Sequence, residues 1–231
     1  IEGHEMIKQT KQVAPIPMVV VGGYLGAGKT TMLNRLLTQS GDLRVAVLVN
    51  DFGEINIDAA LIRTRSDDVI QLENGCVCCS IGDKLVQALA EISERADRPD
   101  LLVIEASGVS DPQRIAQVGM LDRAFRLNSI VVLADVFGLQ QHLADPLIGE
   151  MVRQQMTSAT ALVLSKCDLA SESDIAAAAE LLSGIAPRAV QFRADHGMVP
   201  MSVFLDVEGM PDRSIPSLLS PQPGGRWSRR S

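Results

Sequence analysis

Short apolar runs alternate along the chain with stretches in which apolar residues recur every three or four positions. This is the pattern of successive strand–helix units around a mainly parallel sheet. The strand runs are Ile16–Val21, Val45–Val49, Val69–Leu72, Leu101–Ile104, Ser129–Ala134, Ala161–Leu164 and Ala189–Phe192. Several are uninterrupted, as expected of strands covered on both faces. Helical spacing covers Lys29–Gln39, Ile81–Arg95, Pro112–Leu121, Pro146–Ser158 and Glu172–Gly184. In the second of these, Ile81, Leu85, Leu89 and Ile92 share one face. Asp145-Pro146 predicts an N-cap followed by proline at the first position of the fourth. The pattern predicts an α/β fold of three layers, a mainly parallel central sheet with helices on both faces, and shows no internal repeat.

Composition narrows the class. The chain has 231 residues, 46% of them apolar but only 3% aromatic, so the core must be built from aliphatic side chains and methionine. A formal charge of −7 disfavours non-specific nucleic-acid binding. No apolar run is long enough to span a bilayer and no secretory signal is evident, so neither nucleic acid nor membrane is an expected partner. Residues 1–14 read as a tag remnant and lead-in, and residues 15–205 as the folded domain. Residues 206–231, rich in Pro, Gly, Ser and Arg, read as a tail, either flexible or docking through Trp227, the only tryptophan.

The segment Gly23-Tyr24-Leu25-Gly26-Ala27-Gly28-Lys29-Thr30 satisfies G-x-x-x-x-G-K-[ST] between a strand run and a helical pattern, the context that motif requires. It makes the fold a P-loop nucleoside triphosphatase. Gly23, Leu25, Gly26, Ala27 and Gly28 would form a cradle whose amides face phosphate. Lys29 would reach the β- and γ-phosphates, Thr30 would ligate Mg²⁺, and Thr31 would contact the α-phosphate.

Ser165-Lys166-Cys167-Asp168 ends a strand where P-loop GTPases read the base. Asp168 suits guanine N1–H and N2–H, Lys166 would lie over the base, and Ser165 stands in place of the usual asparagine. Leu101–Glu105 delivers Glu105 to the sheet edge, where a Mg²⁺-bound water would be held, and Gly108 would report the γ-phosphate through its N–H. Asn50-Asp51-Phe52-Gly53-Glu54 reads as a mobile switch, with Asp51 near Mg²⁺ or the attacking water. Of the histidines, His4 belongs to the lead-in, His142 to a helix surface, and His196 to a loop near the nucleotide edge.

Cys76, Cys78 and Cys79 fall within four residues, a clustering that suits a metal site in a reducing compartment better than a disulfide framework. A cytoplasmic location follows as an expectation. Three thiolates suit Zn²⁺ or another borderline cation and leave one tetrahedral position, to be filled by water, Glu54, a histidine or a partner side chain. Buried small residues or a redox pair are the alternatives. Cys167 belongs to the base-reading loop and is not expected to bind metal.

With Gly22–Thr31, NDFGEINID (50–58), ENGCVCCS (73–80), EASG (105–108) and SKCD (165–168) in order, the chain resembles the CobW-like P-loop GTPases, relatives of the nickel-insertion GTPases of urease and hydrogenase. The resemblance implies GTP hydrolysis coupled to delivery of Zn²⁺ or Co²⁺ to a metalloprotein or metal-insertion client. By the same resemblance Cys76, Cys78 and Cys79 are the cargo ligands, and Lys29, Thr30 and Glu105 serve GTP and Mg²⁺. It leaves a nucleotide-dependent homodimer open. Family members usually continue into a second domain where this chain has its tail, by truncation or natural loss. No catalytic Gln or Arg finger is visible, so slow intrinsic turnover is expected. The alternatives are a metal sensor or scaffold without turnover and a small-molecule kinase.

Overall fold

The structure is a computed structural model that describes residues 14–49, 69–71 and 80–205. Its elements in order are β1 (Ile16–Gly23), α1 (Lys29–Gln39), β2 (Val45–Val49), β3 (Val69–Gln71), α2 (Ser80–Glu94), β4 (Leu101–Glu105), α3 (Pro112–Gly119), β5 (Phe125–Asp135), α4 (Leu139–Ala144), α5 (Gly149–Thr157), β6 (Ala161–Ser165), α6 (Glu172–Ile185) and β7 (Val190–Arg193). Short 3₁₀ turns follow β6 (Cys167–Leu169) and β7 (Met201–Val203).

The seven strands form one sheet in the order β3-β2-β4-β1-β5-β6-β7, and every pairing is parallel. Parallel neighbours need crossovers, and crossovers are right-handed. From β1 the chain moves one way to β2, whereas β3→β4, β4→β5, β5→β6 and β6→β7 all move the other way. Right-handedness therefore puts α1 on one face and α2, α3, α4, α5 and α6 on the opposite face. The two cores follow that division. Val20, Leu102, Ile104 and Val132 face Leu89, Ile92, Val152 and Leu182, while Val19, Val21, Val47 and Val103 face Met32, Leu33 and Leu36. The thinner α1 side is completed by Val203, Phe204 and Leu205, all buried. Ser129 Oγ donates to the Val203 carbonyl at 3.0 Å and Asn128 Nδ2 to that of Phe204 at 2.7 Å, fastening this segment to β5.

Local signals explain several boundaries. Asp111 caps α3 by accepting from the Gln113 amide at 2.9 Å, with Pro112 at the first position. Ser171 and Asp174 form a reciprocal capping box on α6. Two expectations need correction. The helix predicted from Pro146 begins at Gly149, because Asp145 accepts from the Leu147 and Ile148 amides and closes a turn before the helix starts. A separate short helix, α4, precedes it. Strand β5 begins at Phe125 rather than Ser129, since its first residues pair with β1 from Ile16 onward and carry Arg126 outward.

Candidate nucleotide site

Strand β1 delivers the chain to the phosphate loop through Gly23. Its φ is +131°, and a Cβ there would stand 2.6 Å from the Leu133 carbonyl oxygen of β5, so only glycine can leave the sheet by this path. Gly26 (φ +74°) and Gly28 (φ +93°) are also left-handed, and Gly28 is the N-cap of α1. A glycine cap brings no side chain, so the first amides of α1 stay available to an anion. Ala27 N–H closes the loop on the Tyr24 carbonyl at 3.1 Å. Lys29 is buried, and its Nζ donates to the Gly23 carbonyl at 2.9 Å, placing the ammonium across the loop. Thr30 is half-buried, Thr31 exposed, and Leu25 exposed at the loop tip. Tyr24 packs edge-on against His142 of α4, ring centroids 4.7 Å apart, so that histidine braces the loop.

Glu105 lies level with Val21 across the β4–β1 pairing and is buried at 4% exposure. Just beyond it, the Ala106 amide donates to the Val21 carbonyl at 2.8 Å. Gly108 sits directly against the phosphate loop. A Cβ on it would lie 2.8 Å from the Leu25 side chain and 2.9 Å from the Leu25 nitrogen. Gln155 of α5, 2% exposed, donates Nε2 to the carbonyls of Gly108 (3.1 Å) and Ser110 (2.8 Å). The same glutamine lines a cavity of about 140 Å³ with Val109, Asp111, Arg114, Met151 and Gln154.

The Ser165–Asp168 segment reaches the same edge. A Cβ on Gly28 would stand 3.9 Å from that of Ser165, so Ser165 flanks the phosphate loop. Ser165 is buried, and its hydroxyl donates to the Ala134 carbonyl at 3.4 Å. Lys166 (φ +61°) ion-pairs with Asp135 at the end of β5, Nζ to Oδ2 2.6 Å. Asp168 Oδ1 accepts from the His196 amide at 3.0 Å, and its Oδ2 lies 3.0 Å from His196 Nδ1. That amide bond is the main cause holding the Asp168 carboxyl below its ordinary pKa, because it favours the charged form. Cys167 is buried, its thiol donating to the Leu164 carbonyl at 3.2 Å, and burial pushes its pKa up.

The structure thus brings together Gly23 to Thr31, Glu105, Gly108, Ser165, Lys166 and Asp168. Asp51, Cys76, Cys78 and Cys79 lie outside the described residues. Among the described residues there is no cluster of His, Cys, Asp or Glu suited to a metal ion, and no helix is long and apolar enough to cross a membrane. Three residues with evident roles were not singled out as site residues from sequence: Asp135, Gln155 and His196. Asp135 ends a strand run at this edge, which is a usable signal. Gln155 and His196 act through partners far along the chain.

The donor set fits a Mg²⁺-bound nucleotide: left-handed glycines at Gly26 and Gly28, a buried ammonium, a half-buried threonine hydroxyl and a buried strand-end carboxylate. Comparison with known proteins agrees on the nucleotide-binding fold. The profile of the CobW/HypB/UreG nucleotide-binding domain matches residues 17–193. The zinc chaperone CobW of Sinorhizobium sp is 30% identical over 219 residues, covering 82% of this chain and 62% of that protein. The zinc chaperone YjiA of Escherichia coli K12 is 31% identical over 203 residues, covering 84% and 62%. The chain therefore spans about three-fifths of the length of these relatives. In fold, Zn(II)-bound YjiA GTPase from E. coli superposes with a TM-score of 0.63 at 23% identity, covering 93% of this chain and 68% of that one. The hydrogenase maturation factor HypB of Archaeoglobus fulgidus superposes with a TM-score of 0.55 at 21% identity, covering 78% and 81%. With three-quarters of its length matching that profile, and with its phosphate loop and the Glu105–Gly108 and Ser165–Asp168 segments gathered at one sheet edge, the chain belongs to the CobW/HypB/UreG family.

Proposed function

We propose that this chain, from a family of P-loop GTPases, hydrolyses GTP and couples its nucleotide state to the binding and delivery of a divalent metal, Zn²⁺ or Co²⁺, to a metalloprotein client. The observation that carries the nucleotide half is the contact of Gly108 with Leu25, which lets the phosphate loop and the strand-end segment respond to one γ-phosphate. The metal half rests on Cys76, Cys78 and Cys79 and on the zinc-chaperone names of the two relatives.

The loop amides from Gly23 to Gly28 hold the phosphates, and Lys29 exchanges the Gly23 carbonyl for β- and γ-phosphate oxygens. Thr30 and Glu105 are the residues that would hold Mg²⁺, directly or through water, and the ion would supply charge neutralisation at the phosphates. Gly108 donates its N–H to the γ-phosphate, Asp51 approaches the attacking water, and Asp168 with Lys166 and Ser165 selects guanine. Cys76, Cys78 and Cys79 lie in sequence between Asp51 and Glu105, so movement of both flanking segments toward the γ-phosphate changes the geometry of the thiolates. Linkage makes the effect reciprocal: metal tightens GTP binding by the factor that GTP tightens metal binding.

Turnover without a partner is expected to be slow, of the order of 10⁻³ s⁻¹ or less, since among the described residues no arginine is placed as a finger on the phosphate loop. Release of inorganic phosphate from GTP and Mg²⁺ over many turnovers, abolished by Lys29→Ala, tests the enzymatic half. No phosphate beyond one equivalent, with metal and client present, would leave a sensor without turnover in its place.

A further inference from the structure

We propose that His196 orients Asp168 for guanine and so sets the base selectivity of this site. The proposal rests on the reading of Asp168 as the base acceptor. Asp168 lies on the turn after β6 and His196 on the turn after β7, 28 residues apart in sequence. One residue meets both oxygens of one carboxylate: its main-chain N–H donates to Oδ1 and its Nδ1 lies against Oδ2, each at 3.0 Å. Contact at both oxygens restricts the side-chain torsions of the aspartate, and therefore the plane of its carboxylate. Each carboxylate oxygen has a second acceptor direction, which leaves one for guanine N1–H and one for the 2-amino group. The Asp168 side chain is only 15% exposed, so little of it is open apart from the edge it offers a ligand.

The turn carrying His196 is itself held from two sides. His196 has φ +53°, a left-handed conformation uncommon for a residue with a side chain. Gly197 follows at φ +77°, and a Cβ there would stand 2.8 Å from Thr31 Cγ2 and 3.2 Å from Met32 N. Only glycine lets this turn lie against the first turn of α1. Arg35, further along α1, donates Nε to the His196 carbonyl at 3.2 Å. Such a conformation persists only where surrounding contacts over-determine it. The phosphate-binding helix and the base acceptor are thereby tied through one histidine.

The test measures dissociation constants of the full chain for GDP, IDP (which lacks the 2-amino group) and ADP, with the thermal midpoint recorded alongside. The variants are His196→Asn and His196→Ala. Asparagine tolerates the left-handed φ and both keep the backbone amide, so loss of the imidazole is isolated from misfolding. The expected result is about tenfold weaker GDP binding, only about threefold weaker IDP binding, and unchanged ADP binding. Unchanged GDP affinity would overturn the proposal. Tighter GDP binding would overturn it too, since His196 would then occupy the edge that guanine needs. Equal proportional losses for all three nucleotides would reduce the histidine to a structural role. Wild-type protein that binds GDP and ADP alike would instead overturn the guanine reading of Asp168, and this proposal with it.

Discussion

The carbonyl of Gly108 accepts a hydrogen bond from the buried Gln155 amide at 3.1 Å, across 47 residues of sequence. The same amide reaches Ser110 at 2.8 Å, so one side chain of α5 anchors the segment that follows Glu105 on its way to the phosphate loop.

Replacing that anchor should be felt twice. Gln155→Leu leaves the two carbonyls without their donor and is expected to cost about 1–3 kcal/mol of stability, read by urea denaturation. It should also weaken binding of a non-hydrolysable GTP analogue more than that of GDP, because Gly108 then presents its N–H less reliably. Equal weakening of both would show that Gln155 serves stability alone.

Two glycines give opposite predictions. Gly23→Ala forces a methyl to 2.6 Å from the Leu133 carbonyl and should destabilise by more than about 2 kcal/mol while abolishing nucleotide binding. Gly184→Ala, at an exposed position of α6 with nothing within 4 Å of the new Cβ, should stabilise by about 0.5–1 kcal/mol. Thermal midpoints moving in opposite directions check both.

The arrangement of these elements was largely legible in the residue pattern, and the reason is physical. Buried parallel strands must be apolar on both faces, so runs such as Val45–Val49 and Leu101–Glu105 identify themselves. Helix α4, six residues with Gln-Gln-His at its centre, is too short to show a period in the sequence. The phosphate loop was legible because it is contiguous, and so was the Ser165–Asp168 segment at the same sheet edge. His196, Asp135 and Gln155 were not, because each acts on a residue more than twenty-five positions away that only the folded sheet edge brings near.

Asp135 offers a direct check on that long-range part of the site. Its carboxylate holds Lys166 at 2.6 Å, and Asp135→Asn removes the charge while keeping the shape. GDP affinity should fall about three- to tenfold, with stability nearly unchanged since the Lys166 side chain is 39% exposed. A large fall in the denaturation midpoint would assign the pair to folding instead.

Acid should weaken nucleotide binding late. The Asp168 carboxyl lies below its ordinary pKa, first because the His196 amide donates to it. A depressed carboxylate pKa means that its contribution is complete above the ordinary value and is lost only as pH falls through the depressed one. The acid limb of GDP affinity should therefore lie below the usual aspartate range. His196→Asn should move it only slightly, because the backbone donor remains. An acid limb at the ordinary aspartate value would contradict this assignment.

The central claim is that nucleotide state sets metal affinity through Cys76, Cys78 and Cys79. The most direct measurement is titration of Zn²⁺ and Co²⁺ into the metal-free chain, bound in turn to GDP and to a non-hydrolysable GTP analogue, with Cys78→Ala as control. The account predicts one site per chain, tighter with the GTP analogue by about five- to a hundredfold and lost in Cys78→Ala. Equal affinity in the two nucleotide states, or a site that survives Cys78→Ala unchanged, would contradict it.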